Sequence, residues 1–249
     1  MITNLQSGTN VHEIASGIYR INTPIQIPGG PDFNFNQYLV ADDEPHVYHT
    51  GPKRMFPLVA EAIGKVLPLE RLRYVAFSHF EAYECGSLND FLAAAPQAVP
   101  VSSQVAAMVS VNDIATRPAK AMADGELLHT GRHTFKWLDA PHVPHAWENG
   151  FMMELATRTM LCGDLFTQGG SGKVALTEGD ILGPSEAFRA PMDYYAHSPQ
   201  TAATLERLAR EQPQVLAVMH GSAFRGDGAA LLRALSKSLG SRPALAAAA

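Results

Sequence analysis

Four apolar runs in this chain end on, or lead into, side chains that resist burial. Leu72–Phe77 (LRYVAF) runs into Ser78-His79-Phe80-Glu81-Ala82-Tyr83-Glu84-Cys85-Gly86. Thr134–Leu138 is followed by the segment that carries His142 and His145, ahead of Trp147. Met160–Cys162 gives way to Gly163-Asp164, and Val215–Met219 to His220-Gly221. A carboxylate or imidazole at the end of an apolar strand is costly to desolvate unless it is paired or bound to a metal. One such ending is ordinary. Four, at separated points of the chain, point to a single convergent site. In the first of them, His79, Glu81 and Glu84 are presented from a loop at a strand's carboxyl edge, where a rigid strand can hold a functional loop in place.

The rest of the chain supplies a scaffold of alternating elements. Strands are expected over Ile18–Asn22, Asn34–Ala41 and Pro45–Tyr48, with a turn at Asp42-Asp43. Leu58, Ala62, Ile63 and Val66 share one helical face, which predicts a helix over Met55–Leu67. A helix from Ser87 to Ala95, with Ser87 as its cap, follows the His79 segment. A strand at Val99–Val101 and a helix over Ser103–Val109 come next. Two strand pairs follow, Leu127–His129 with Thr134–Leu138 and Phe151–Leu155 with Met160–Cys162. Helices over Thr201–Glu211 and Ala229–Leu239 flank the strand Val215–Met219. Strands and helices in this order predict an α/β fold of two sheets with helices packed outside.

Composition narrows the function. The chain has 249 residues, 46% of them hydrophobic and 17% charged, which is enough to build a large core. Lys and Arg number 19 against 24 Asp and Glu, a balance that argues against nucleic acid as the main partner. Neither a secretory leader nor an apolar run long enough for a membrane span stands out. Two cysteines, Cys85 and Cys162, cannot make a disulfide framework and are expected as buried structural residues in a reducing, cytoplasmic setting. No linker divides the chain, so one domain over 1–249 is expected, with 244–249 (ALAAAA) as a frayed tail.

With these residues in view, the chain resembles the metallo-β-lactamase fold, and within it the di-iron domain of flavodiiron proteins. The superfamily carries H-x-H-x-D-H after a strand, then a distal His, a bridging Asp in a Gly-Asp pair and a final His. The flavodiiron branch has Glu at the second His, and here His79, Glu81 and Gly86 match that branch. His145 with Trp147, Gly163-Asp164 and His220-Gly221 resemble the remaining positions. Two departures stand out: Tyr83 occupies the usual Asp position and Glu84 the usual His position.

The resemblance implies an αββα sandwich of two mixed sheets flanked by helices. It implies one metal held by His79, Glu81, His145 and Asp164, and a second by Glu84, Asp164 and His220. Tyr83 would be a ligand, a hydrogen-bond donor to bound oxygen, or neither. Three carboxylates set against two divalent ions leave a residual positive charge, which attracts anions. The mixed imidazole and carboxylate set suits iron or manganese, without excluding zinc. Two iron ions are therefore expected, with one iron, manganese or zinc as alternatives, and no flavin bound by this chain.

The expected function is a non-haem di-iron oxidoreductase that binds or activates O2 or NO, with electrons from an external donor. A hydrolase that uses a metal-bridging hydroxide on a thioester, lactone or phosphodiester is the second reading. A non-catalytic O2 or redox sensor is the third. Self-association stays open. The bland readings are as definite: His12, His46, His49, His129, His133 and His197 are expected at the surface or at strand edges. Tyr194, Tyr195 and Met192 line a substrate entrance or simply pack.

Overall fold

The computed structural model describes residues 1–241, so the tail 244–249 lies outside the described residues. The first sheet holds β1 (Asn10–Ala15), β2 (Ile18–Gln26), β3 (Asp32–Val40), β4 (His46–Tyr48), β5 (Tyr74–Ala76), β6 (Val99–Ser103) and β7 (Lys120–Met122), in that spatial order. The second holds β8 (Leu127–His129), β9 (Thr134–Asp139), β10 (Gly150–Glu154), β11 (Thr159–Leu161), β12 (Leu176–Thr177), β13 (Val215–Ala217) and β14 (Ala223–Arg225), in the spatial order β12-β14-β13-β11-β10-β9-β8. Both are mixed. Strands β1 to β4 pair antiparallel and β4 to β7 parallel. In the second sheet β11 runs parallel to β13.

Three apolar layers explain this arrangement. Tyr38, Tyr48, Val101, Trp137, Met152 and Leu161 fill the space between the sheets. Val59, Ile63, Leu88 and Phe91 bring helices Phe56–Ile63 and Leu88–Ala94 onto the outer face of the first sheet. Leu205, Leu208, Leu232 and Leu235 bring helices Thr201–Arg210 and Gly228–Ser241 onto the second. Central strands covered on both faces read as continuous apolar runs, which is why LRYVAF and VLAVM were legible as strands. The αββα sandwich expected from the sequence is the fold observed.

Several local readings need correction. The side chain of Ser87 caps no helix: its hydroxyl donates to the carbonyls of Gly51 and Pro52 instead. The helix expected over Ser103–Val109 begins where Ser103 Oγ accepts the Ala106 N–H, passes through a π-turn at Ala107–Val111 and ends at Ile114. Strands β1, β7, β12 and β14 and helix Leu182–Arg189 were not anticipated. They are short or lie near a sheet edge, where few positions are buried and the apolar period is faint. No helix among the described residues is long and apolar enough to cross a membrane.

Candidate metal centre

Three of the candidate ligands obey one rule of position. His79, Asp164 and His220 each lie three residues beyond the last residue of β5, β11 and β13. Within the second sheet Leu161 is in register with Ala217, so Asp164 and His220 leave the sheet side by side. His145 arrives from the loop between β9 and β10, while the exposed His142 of the same loop stays outside the cluster. Glu81 directly precedes the short helix Ala82–Cys85, and Glu84 sits inside it. Ligands at the carboxyl ends of strands are the usual arrangement in open α/β sheets.

Close approach at these loops demands small residues. Gly163 has φ +50, and a Cβ there would meet Ser78 Oγ at 2.9 Å. Gly221 has φ +98, and its Cβ would lie 2.5 Å from the Gln168 side chain.

The converged atoms are almost all acceptors. His79 Nε2 lies 3.2 Å from His145 Nε2, 3.4 Å from Glu81 Oε2, and 3.7 Å from Glu84 Oε2 and from Asp164 Oδ2. His145 Nε2 is 3.4 Å from Glu81 and 3.6 Å from Asp164. His220 Nε2 is 3.4 Å from the other Asp164 oxygen, Oδ1. Two groups have ligand-capable atoms all within 4.8 Å of one another: His79, Glu81 and His145, and His79, Glu84 and Asp164. His220 joins the second group through Asp164. Tyr83 is 43% exposed, and its ring packs edge-on against Phe35 at 4.7 Å and lies 6.3 Å from the His220 ring.

Hydrogen bonds behind the site fix which imidazole nitrogens are bare. His220 Nδ1 donates to the Asn34 carbonyl at 2.7 Å, which leaves Nε2 as a lone pair aimed at a carboxylate. The ring is stacked on Phe33 at 4.4 Å and meets Phe35 edge-on. For His79 the relay is longer. The Ser78 backbone N–H donates to His49 Nε2 at 3.4 Å, so that nitrogen is an acceptor and His49 Nδ1 carries the proton, 2.9 Å from Met219 Sδ. Ser78 Oγ, 3.0 Å from His49 Nε2, then donates to it and accepts from His79 Nδ1 at 2.9 Å. His79 Nε2 is left without a proton, facing the cluster.

The charges ask for a cation. Burial, with Asp164 and Glu81 nearby, pushes the Glu84 carboxyl well above its ordinary pKa. Burial likewise opposes the ionised form of Asp164, but the positive charge that His220, His79 and His145 carry when protonated outweighs it and holds that carboxyl well below its usual range. The imidazoles of His145 and His79 hold Glu81 down at about 2. Glu84 Oε2 and Asp164 Oδ1 are buried without a hydrogen-bond partner. Metal–ligand bonds of about 2.1 Å place neighbouring ligand atoms roughly 3.0–3.4 Å apart, close to the spacings seen here. The residues therefore fit bound metal in donor type, spacing and unmet demand.

Several residues that shape the site were not singled out in the sequence. His46, His49 and His133, expected at the surface or at strand edges, are buried. Burial pushes the pKa of both His46 and His49 down to about 3, so both are neutral at physiological pH. His49 also has φ +65, uncommon for a residue with a side chain. A histidine just past an apolar strand was the available signal, since Val47-Tyr48-His49 repeats the pattern of the ligand strands. Arg20, fully buried, donates to the carbonyls of Gly172 and Gly221 and braces the His220 loop. Cys162 is a core residue whose thiol donates to the Ala217 carbonyl, and Cys85 is buried too. Tyr194 and Met192 line the cavity beside the cluster, whereas Tyr195 is buried against Arg189.

Two mixed sheets with a His and carboxylate cluster on their strand-end loops define a protein of the metallo-β-lactamase fold. Residues 33–221 match the family described as ODP family beta lactamase, and the chain belongs to that family. Comparison with curated protein sequences gives no match. Among solved structures, rubredoxin oxygen:oxidoreductase from Desulfovibrio gigas superposes with a TM-score of 0.80 at 20% identity, over 94% of this chain and 63% of its own. The flavodiiron protein of Giardia intestinalis gives 0.77 at 19%, over 92% and 59%. A Thermotoga maritima flavoprotein gives 0.78 at 14%, over 95% and 62%. The chain thus spans about three-fifths of the length of each of these relatives. Identities this low establish a shared fold.

Proposed function

We propose that this chain is a non-haem di-iron oxidoreductase that binds O2 or NO at a centre held by His79, Glu81, Glu84, His145, Asp164 and His220. The observation that carries this reading is the cluster itself, three carboxylates and three imidazoles whose facing atoms are nearly all acceptors, with His79, Glu84, Asp164 and His220 buried and Glu81 and His145 reaching the cavity. Oxygen-rich sets of this kind suit iron and manganese. The shared fold with flavodiiron proteins supports the same choice.

Two bound iron ions would supply one-electron redox chemistry and a position for a diatomic ligand. The protein's part is placement. Asp164, with one oxygen toward His79 and His145 and the other toward His220, stands where a bridging carboxylate would. Glu84, buried beneath the cluster, contributes a second carboxylate in place of an imidazole. The relay from His49 through Ser78 keeps the proton of His79 on Nδ1. Tyr83, exposed on the cavity wall, would meet what enters. Electrons come from a separate donor, in a reducing cytoplasmic setting that the two unpaired cysteines favour.

The test is metal content after expression in iron-replete medium, followed by exposure of the reduced protein to O2 and to NO. About two irons per chain and a spectral change with either gas are expected. Zinc taken up in place of iron would overturn the reading and favour a hydrolase.

A further inference from the structure

A diatomic gas needs little room, yet the cluster opens into a cavity of about 710 Å³. That lies within the roughly 300–1,000 Å³ of pockets that take drug-sized ligands. Glu81, His145, Asp164 and His220 contribute to its lining. Thr167 apart, its other walls are apolar and aromatic, with Phe33, Tyr83, Phe188 and Tyr194 the largest side chains. Phe33 and Phe188 are stacked nearly parallel, 5.5 Å apart and 14° from coplanar. No lysine or arginine lines the cavity among the described residues. A phosphate-bearing or polyanionic molecule would find no side-chain cation there.

Resting on the di-iron reading, we propose that this cavity binds the organic substrate of the centre, a flat aromatic molecule with one oxygen-bearing end directed at the metals. The aromatic walls take the body of such a molecule through stacked and edge-on ring contacts. Its oxygen finds the residual positive charge of the centre, since three carboxylates only partly neutralise two divalent ions. Arg189 keeps one wall rigid: it pairs with Glu186 on its own helix and with Asp193, which directly precedes Tyr194. Met192 and Ile27, both exposed, form the rim.

The probe is 2-naphthoate, titrated by fluorescence into the full chain, both metal-free and iron-loaded. Saturable binding of one probe per chain is expected, tighter with iron present. Ala187 is exposed on helix Leu182–Arg189 and faces the cavity, so Ala187→Trp should weaken binding at least tenfold while iron content stays at the wild-type level. Met192→Trp provides the same obstruction from the rim should the first variant melt earlier than the wild type. Absence of saturable binding, binding that ignores both variants, or inorganic phosphate displacing the probe would overturn the proposal. The two readings fail separately. A chain with two irons that binds no probe loses the cavity proposal alone. A chain that takes up no iron but binds the probe with the expected sensitivity to Ala187→Trp keeps the cavity as an aromatic site and loses the di-iron reading.

Discussion

The Nε2 atoms of His79 and His145 face each other at 3.2 Å, although 66 positions separate the two residues in sequence. The proton of His79 is committed to Ser78 on the far side of its ring. His145, when protonated on Nε2, donates to the bare His79 Nε2, and a bound metal would instead take a lone pair from each ring. Metal binding should therefore raise the melting temperature and release protons as His145 gives up its own, since burial is outweighed by Glu81 and Asp164 and its pKa lies above the usual value. Differential scanning calorimetry with and without chelator, alongside proton release on iron addition, measures both. An unchanged melting temperature would count against a metal centre.

Asp164→Ala should cost both metals, because its two oxygens face different histidines. Emission spectrometry on the purified variant gives the count. Retention of two metals would sink the bridging assignment.

Tyr83→Phe should leave metal content at wild-type level. The side chain is exposed, and its ring contact with Phe35 survives the change. A lost metal equivalent would restore Tyr83 as a ligand.

The relay behind His79 gives a prediction independent of turnover. Ser78→Ala or His49→Leu removes the group that fixes the tautomer of His79, and metal affinity should fall by about 10–100-fold. Chelator competition reads the affinity directly. Equal affinity in both variants would reduce the relay to packing.

Acid should destabilise the protein through His46, which is no part of the centre. Its folded pKa is pushed down to about 3 by burial first and by His133 second. Between roughly pH 6.5 and 3 the unfolded chain binds a proton there that the folded chain refuses, so stability falls as pH drops through that window, by up to about 1.4 kcal/mol per pH unit. His46→Leu should flatten the fall in urea midpoint between pH 7 and 5. An identical slope in the variant would refute the assignment.

The central strands and the convergence of His79, Asp164 and His220 were readable because each couples a strong apolar run to a polar end. Leu72–Phe77 before His79 and Val215–Met219 before His220 are the clearest cases. What sequence reading missed has no such contrast. The two residues of β12 carry no period, and Asn10–Ala15 is broken by a bulge between Glu13 and Ala15. His49 was passed over because a single histidine after a strand looks like a surface residue until three-dimensional neighbours bury it. Ser87 looked like a cap in sequence, but the carbonyls of Gly51 and Pro52, more than thirty residues away, claim its hydroxyl.

The offset of three residues beyond β11 and β13 makes the centre a gauge of strand register. A slip of one residue between these parallel neighbours would move His220 past Asp164 by about 3.3 Å, more than the length of a metal–ligand bond. Chains in which the pair has mis-zipped cannot close the centre. Metal capture would then select correctly paired molecules from a refolding mixture, acting as a final inspection of the second sheet.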